Sequence, residues 1–322
     1  MLRWMSLVFI GTPAFAVPSL RRLAASGYQV SAVITQPDRP AGRGRGVLPP
    51  AVKLAADALN LPVHQPETLR DPATLTLLRD LEPEVMVAVA YGQILRPEVL
   101  DIAARGVVNV HPSLLPRWRG ASPIPGAILA GDEETGVTIM LMDRGMDSGP
   151  ILSQTHVPIS ARDTTLSLTD ALADVGADLL ARTLPRWLRG EITPQPQDKA
   201  LATITRLVRK EDGVIDWSLS ATEIWRRVRA YNPWPGAFTT LDGESVHIWT
   251  AWPLPADSGE PPGTIVASPQ AHPDAAGAAF AVQTGDGLLG IIEAQRSGRR
   301  RLSAAEFLRG MPGILGRRFD SA

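Results

Sequence analysis

The sequence predicts a two-part chain: an α/β domain built on a mainly parallel sheet, followed by a smaller, mostly antiparallel sheet or barrel. Three observations carry this. In the first half, short apolar or β-branched runs alternate with stretches of helical periodicity. Those runs are nearly continuously apolar, as strands covered on both faces are. Beyond about residue 205 the texture changes to short strands broken by Gly and Pro. The expected boundaries are a first domain over 1–189, a linker over 190–205, where Gly190, Pro194 and Pro196 interrupt both periods, and a second domain over 206–322.

The first strand is read at 6–11. Arg3, the apolar 4–10 and Ala14-Phe15-Ala16 resemble a signal peptide, but the apolar part is short and is cut by Gly11-Thr12-Pro13. A buried strand and a cytosolic chain are therefore expected. Further strands are read at 28–36, 61–64, 85–90, 107–110 and 137–142, with helices at 19–26, 51–60, 73–81, 97–104 and 123–130 between them. Asp163, Thr164 and Thr165 offer N-caps to a helix whose Leu168, Leu172, Val175 and Leu179 share one face. The second part holds a helix at 221–229 and strands at 247–252, 264–267, 279–284 and 288–293; residues 257–279 read as an insertion loop. Its Trp residues are expected in the barrel core.

Composition excludes much. Among 322 residues, 32 Lys+Arg face 33 Asp+Glu, so any polyanion site must be a local patch. The absence of Cys removes disulfide scaffolds, zinc–thiolate sites, iron–sulfur clusters and thiol nucleophiles. There is no P-loop, no G-x-G-x-x-G after the first strand and no G-x-S-x-G. The His residues at 64, 111, 156, 247 and 272 lack metal-ligand spacing, so no metal is expected. No apolar run approaches the ~20 residues of a membrane span, and no membrane partner is expected.

The sharpest constellation is Asn109-Val110-His111-Pro112-Ser113. On a strand, residues 109 and 111 project to the same side, and Pro112 ends the ladder. An amide and an imidazole then stand together at a strand's C-terminal end, where open α/β sheets bind ligands. A carboxylate from the loop after the 137–142 strand could orient or charge the imidazole, and both Asp147 and Asp143 qualify. Between 36 and 53, Arg39, Arg43, Arg45 and Lys53 alternate with glycines in a basic loop suited to phosphates.

These strings resemble the methionyl-tRNA formyltransferase family. Residues 109–120 (NVHPSLLPRWRG), with Asp147 downstream, are similar to the signature of folate-dependent formyltransferases generally. Residues 210–217 (KEDGVIDW) and 231–238 (YNPWPGAF) extend the similarity, and 35–46 (TQPDRPAGRGRG) is similar to this family's tRNA-binding loop. The resemblance implies a Rossmann-like first domain and an OB-like second one. It implies formyl transfer from 10-formyltetrahydrofolate to the α-amino group of methionine on initiator methionyl-tRNA, through a tetrahedral oxyanion. Asn109, His111 and Asp147 match the catalytic residues, and Ser113, Leu114, Leu115 and Pro116 match the segment beside the folate. His111, if protonated, adds a charge-assisted oxyanion donor, and Asp147 favours that protonated form. Arg39, Arg43 and Arg45, with Arg206, Arg209 and Lys210 at the entry to the second domain, are the expected tRNA contacts. A monomer is expected. A sugar-nucleotide N-formyltransferase would share the site but has little use for the Gly–Arg loop; a non-catalytic RNA-binding protein would not need the intact Asn–His–Asp set.

Overall fold

The computed structural model describes residues 6–41, 46–269 and 273–320. The chain divides into two compact units. The first takes in residues up to 123, 134–158 and 169–205; the second holds 124–133, 159–168 and the chain from 206 on.

In the first unit the strands are β1 (Ser6–Gly11), β2 (Gln29–Ile34), β3 (Arg39–Ala41), β4 (Gly46–Leu48), β5 (Val63–His64), β6 (Val85–Val89), β7 (Val107–His111), β8 (Arg119–Gly120), β9 (Glu134–Leu141), β10 (Ile151–Pro158) and β11 (Ile204–Thr205). The main sheet has the order β10-β9-β7-β6-β1-β2-β5. β5, β2, β1, β6 and β7 pair in parallel, whereas β9 joins β7 and β10 joins β9 antiparallel. Leu7, Val8, Phe9 and Ile10 are fully buried, as central doubly covered strands require. β10 was not expected. Its residues alternate between half-buried and exposed beyond Leu152, the pattern of an edge strand with one wet face.

Helices α1 (Val17–Ala25), α2 (Ala51–Ala58), α3 (Pro72–Asp80), α4 (Pro97–Leu100), α5 (Pro123–Ala130) and α6 (Thr165–Leu188) lie between or after these strands in the chain, α5 falling in the second unit from residue 124. α3 starts where Asp71 accepts the Thr74 N–H at 3.1 Å and Pro72 stands at the first turn. α6 lies close on β7 and β9: a Cβ at Gly176 would meet Val110 at 2.9 Å. Residues 190–205, expected as a linker, carry β11, which pairs with β8, and Gln195, which bridges Ile151.

The second unit curls an antiparallel sheet in the order β12 (Ala237–Leu241), β13 (Glu244–Leu254), β16 (Leu288–Arg296), β15 (Phe280–Gln283) and β14 (Ile265–Ala267), with β17 (Leu302–Ser303) on β16. Irregularities around Thr250 break the register of β13, as a strand bent into a half-barrel does. α7 (Ala221–Ala230) and α8 (Ala304–Gly310) seal the core, each starting with a reciprocal Ser–Glu capping box. Ile224, Val228, Ile248, Phe280, Ile291 and Phe307 are buried at its centre. Trp217 belongs to this core, stacked on Phe319 at 5.5 Å, but Trp234 is 59% exposed, against the expectation for the Trp residues. Among the described residues no helix is long and apolar enough to cross a membrane.

Candidate active site

The parallel strands place their C-terminal ends along one edge of the main sheet. Thr12, just after β1, donates to Tyr91 O at 3.0 Å after β6, and the Gln36 N–H after β2 reaches Thr12 Oγ1 at 3.4 Å. At the end of β7, Asn109 is half-buried and His111 is 4% exposed. Asn109 Nδ2 donates one hydrogen to Ala88 O at 3.2 Å, while its Oδ1 is buried and has no hydrogen-bond partner. A buried acceptor in that condition is costly unless something arrives to fill it.

His111 Nε2 stands 3.0 Å from Trp118 O. A carbonyl can only accept, so Nε2 carries the hydrogen and the neutral ring presents its lone pair at Nδ1. Nδ1 lies 3.7 Å from Asp147 Oδ2. Burial pushes the His111 pKa below its ordinary value, against the opposing pull of the Asp147 charge and the Trp118 carbonyl. Burial is thus the larger influence on this imidazole and disfavours its charged form, which the Asp147 carboxylate favours.

The two aspartates differ in their hydrogen-bond partners. Asp143 Oδ1 accepts from the Gly145 N–H at 2.9 Å and from Ser148 Oγ at 2.8 Å, within its own turn. Asp147 faces His111, and its Oδ2 accepts the Gly120 N–H at 2.8 Å. Asp147 holds φ +47° and Trp118 φ +62°, left-handed conformations costing about 1–3 kcal/mol each unless the surroundings enforce them. Trp118, the Gly120 N–H and Gln197, which binds the backbone around Asp147, were all missed by sequence reasoning. The close approach at Gly120, where a Cβ would lie 2.3 Å from Thr205 O, was not visible in the string RWRG alone.

Ser113, Leu114, Leu115 and Pro116 form the turn after β7. Ser113 Oγ donates to Arg117 O at 2.7 Å, Leu115 N donates to Thr138 Oγ1 at 3.1 Å, and Leu115 O accepts Gln154 Nε2 at 2.9 Å. These hydrogen bonds hold the turn together.

In the basic loop β3 and β4 pair antiparallel; Arg43 and Arg45 lie outside the described residues. Arg39 is exposed and 3.3 Å from Glu67, and Lys53 is paired with Asp38 at 2.7 Å. In the second unit Arg206 pairs with Asp212 through both guanidinium nitrogens, and Asp212 also accepts the Arg209 N–H at 2.7 Å. Lys210 opens the next turn, and its charge, after burial, helps push the His247 pKa down.

Comparison with known proteins agrees with this architecture. Residues 5–184 match the Formyl transferase family and 207–312 match its C-terminal domain. The methionyl-tRNA formyltransferase of Chloroflexus aurantiacus (strain ATCC 29366 / DSM 635 / J-10-fl) is 51% identical over 308 residues, 95% of this chain and 97% of that one. That of Roseiflexus sp. (strain RS-1) is 52% identical over 307 residues, 95% and 92%. In fold, the chain resembles an N-formyltransferase from Helicobacter canadensis, solved with folinic acid and dTDP-3-aminofucose, with TM-score 0.66, 20% identity and 91% and 99% of the two chains covered. It also resembles HypX from Aquifex aeolicus, solved with tetrahydrofolic acid, with TM-score 0.62 and 19% identity; there 97% of this chain spans about half, 48%, of that one. With both domains matched and half of its residues shared with relatives along nearly their whole length, the chain belongs to the formyl transferase family.

Proposed function

We propose that this chain transfers the formyl group of 10-formyltetrahydrofolate to the α-amino group of methionine on initiator methionyl-tRNA. The relatives' name supports the substrates, and the observation that carries the chemistry is the buried, unpartnered Asn109 Oδ1 on the strand whose His111 turns Nδ1 to the Asp147 carboxylate. The folate supplies an activated formyl group. A free α-amine titrates near ~8, so the difficulty lies in orientation and in the charge that develops on the formyl oxygen.

The residues divide that work. Asn109 Oδ1 accepts an N–H of the amine and aims it, while the second hydrogen of Nδ2 meets the oxygen on which negative charge develops. His111 Nδ1 takes the proton the amine loses as the new C–N bond forms. The imidazolium so produced is stabilised by the Asp147 carboxylate, and Nδ1 returns the proton to the departing nitrogen. Ser113, Leu114, Leu115 and Pro116 shape the wall beside the folate. Arg39, Arg43, Arg45, Arg206, Arg209 and Lys210 contribute to holding the tRNA, Arg206 mainly by ordering the turn that presents Lys210. Since translation supplies the aminoacyl-tRNA, the same reading assigns the chain to the cytosol, as a monomer.

The test is a formyl-transfer assay with charged initiator tRNA, charged elongator tRNA and an amino-sugar nucleotide as competing acceptors. Preference for initiator Met-tRNA supports the reading; transfer to the sugar alone overturns it.

A further inference from the structure

We propose that Gln197 and Thr203 are positioning residues for formyl transfer, the segment that contains them setting the separation between the His111 imidazole and the Asp147 carboxylate. The inference rests on the roles of His111 and Asp147 given above.

Every polar atom of the Gln197 carboxamide is engaged. Its Oε1 accepts Nε and Nη2 of the buried Arg119 at 3.0 and 2.7 Å. Its Nε2 donates to Asp147 O at 2.8 Å and to Gly149 O at 2.7 Å. These two carbonyls belong to the loop in which Asp147 is held at φ +47°. The other half of the dyad is held from the same segment: Thr203 Oγ1 accepts the Trp118 N–H at 2.8 Å, and Trp118, at φ +62°, presents the carbonyl facing His111 Nε2. Thr203 O accepts the Arg119 N–H at 2.9 Å, and Thr205 Oγ1 donates to Arg119 O at 3.0 Å. Both unusual backbone conformations beside the imidazole are thus enforced by residues 197–205.

The residue type at 197 argues against a merely structural role. A buried guanidinium is neutralised best by a carboxylate. Glutamate, however, has no N–H to give to the carbonyls of 147 and 149. Only an amide accepts from Arg119 at one end and orders the Asp147 loop at the other.

The experiment measures single-turnover formyl transfer by the full chain as Gln197→Glu, Thr203→Val, Asp147→Asn and the Gln197→Glu/Asp147→Asn pair. Misplacing a group by about 1 Å can cost about a hundredfold. Gln197→Glu is expected to lose about 10- to 100-fold in rate with both KM values within about twofold of the parent. Because Gln197→Glu itself adds a carboxylate, the pH profile is read on Thr203→Val: Asp147 is the charged group facing His111 and Arg119 is turned to Gln197, so a looser His111–Asp147 pair shifts the acid limb to lower pH. In the pair, the second substitution should cost less than about threefold beyond the first, because Gln197 acts through Asp147. Thr203→Val removes one hydrogen bond and tests the segment where Gln197→Glu fails to fold; it should also lower the rate with KM unchanged. Penalties that multiply in the pair, or a loss confined to KM and thermal midpoint with the pH limb unmoved, overturn the proposal. An Asp147→Asn enzyme of normal rate would overturn the reading of Asp147 as well, and so separates the two failures.

Discussion

His111 Nδ1 lies 3.7 Å from Asp147 Oδ2, close enough for the charge to act and too far for a direct hydrogen bond. Two effects of opposite sign therefore meet on one imidazole. Burial is the larger and disfavours the charged ring; the carboxylate moderates it. In the proposed reaction the ring accepts a proton and later returns it, which this balance suits.

Asp147→Asn preserves shape and removes the charge. We expect kcat to fall by roughly 10²–10³ with little change in folate affinity, since the carboxylate matters most when the ring is charged. The sign of the pH effect follows. Asp147 raises the His111 pKa, so its loss lowers that pKa further, and the acid limb of kcat against pH moves to lower pH. A limb that stays in place would mean the charge does not reach the ring.

Asn109→Ala should lower kcat by about 10²–10³, the usual loss for one oxyanion donor. Asn109→Asp keeps an acceptor at Oδ1 but gives up the N–H and adds a negative charge where charge develops. It should be slower than Asn109→Ala. Rates and folate titrations on the two variants decide this.

The pair Arg43→Ala and Arg45→Ala should raise the KM for tRNA and leave that for folate unchanged. Each phosphate interaction removed should flatten the log–log salt slope by roughly one for duplex-like RNA. A salt series of tRNA binding is the measurement.

In the second unit, hydrogen bonding from Arg206 lowers the Asp212 pKa to about 2. An unfolded Asp titrates near ~3.9, so this group's contribution is complete above about pH 4 and is lost as pH falls towards 2. Allowing for solvent screening, Asp212→Asn should cost about 1 kcal/mol at neutral pH. Thermal midpoints of the two proteins should draw together below about pH 4 and converge only as pH approaches 2.

The sheet was legible because its central strands are apolar on both faces; 85–89 and 107–111 could be read to within a residue. Asn109 and His111 were legible for the same reason, since a strand's period fixes which side chains share a face. Asp147 was only half legible. Its rival Asp143 sits in the same loop, and the choice depends on Ser148 and Gly145 closing a turn around one of them. The depth of burial of His111, the larger influence on its titration, is a tertiary property that the string NVHPS does not carry. Lys53 read as part of a basic patch, yet Asp38 beside it cancels the charge. Gln197 carried no signal at all: it stands in a Pro-broken stretch 50 residues from the aspartate whose backbone it binds.

The pairing of β11 with β8 bears on how this catalytic unit could be transplanted. A graft cut at 189, where helical periodicity ends, would leave behind Gln197, Thr203 and Thr205, and the hybrid would fold its sheet around a loosened dyad. A junction after Thr205 carries those residues along. An exchange of the second unit therefore keeps the last short strand with the first as part of the enzyme, and has also to match residues 124–133 and 159–168, which belong to the second unit.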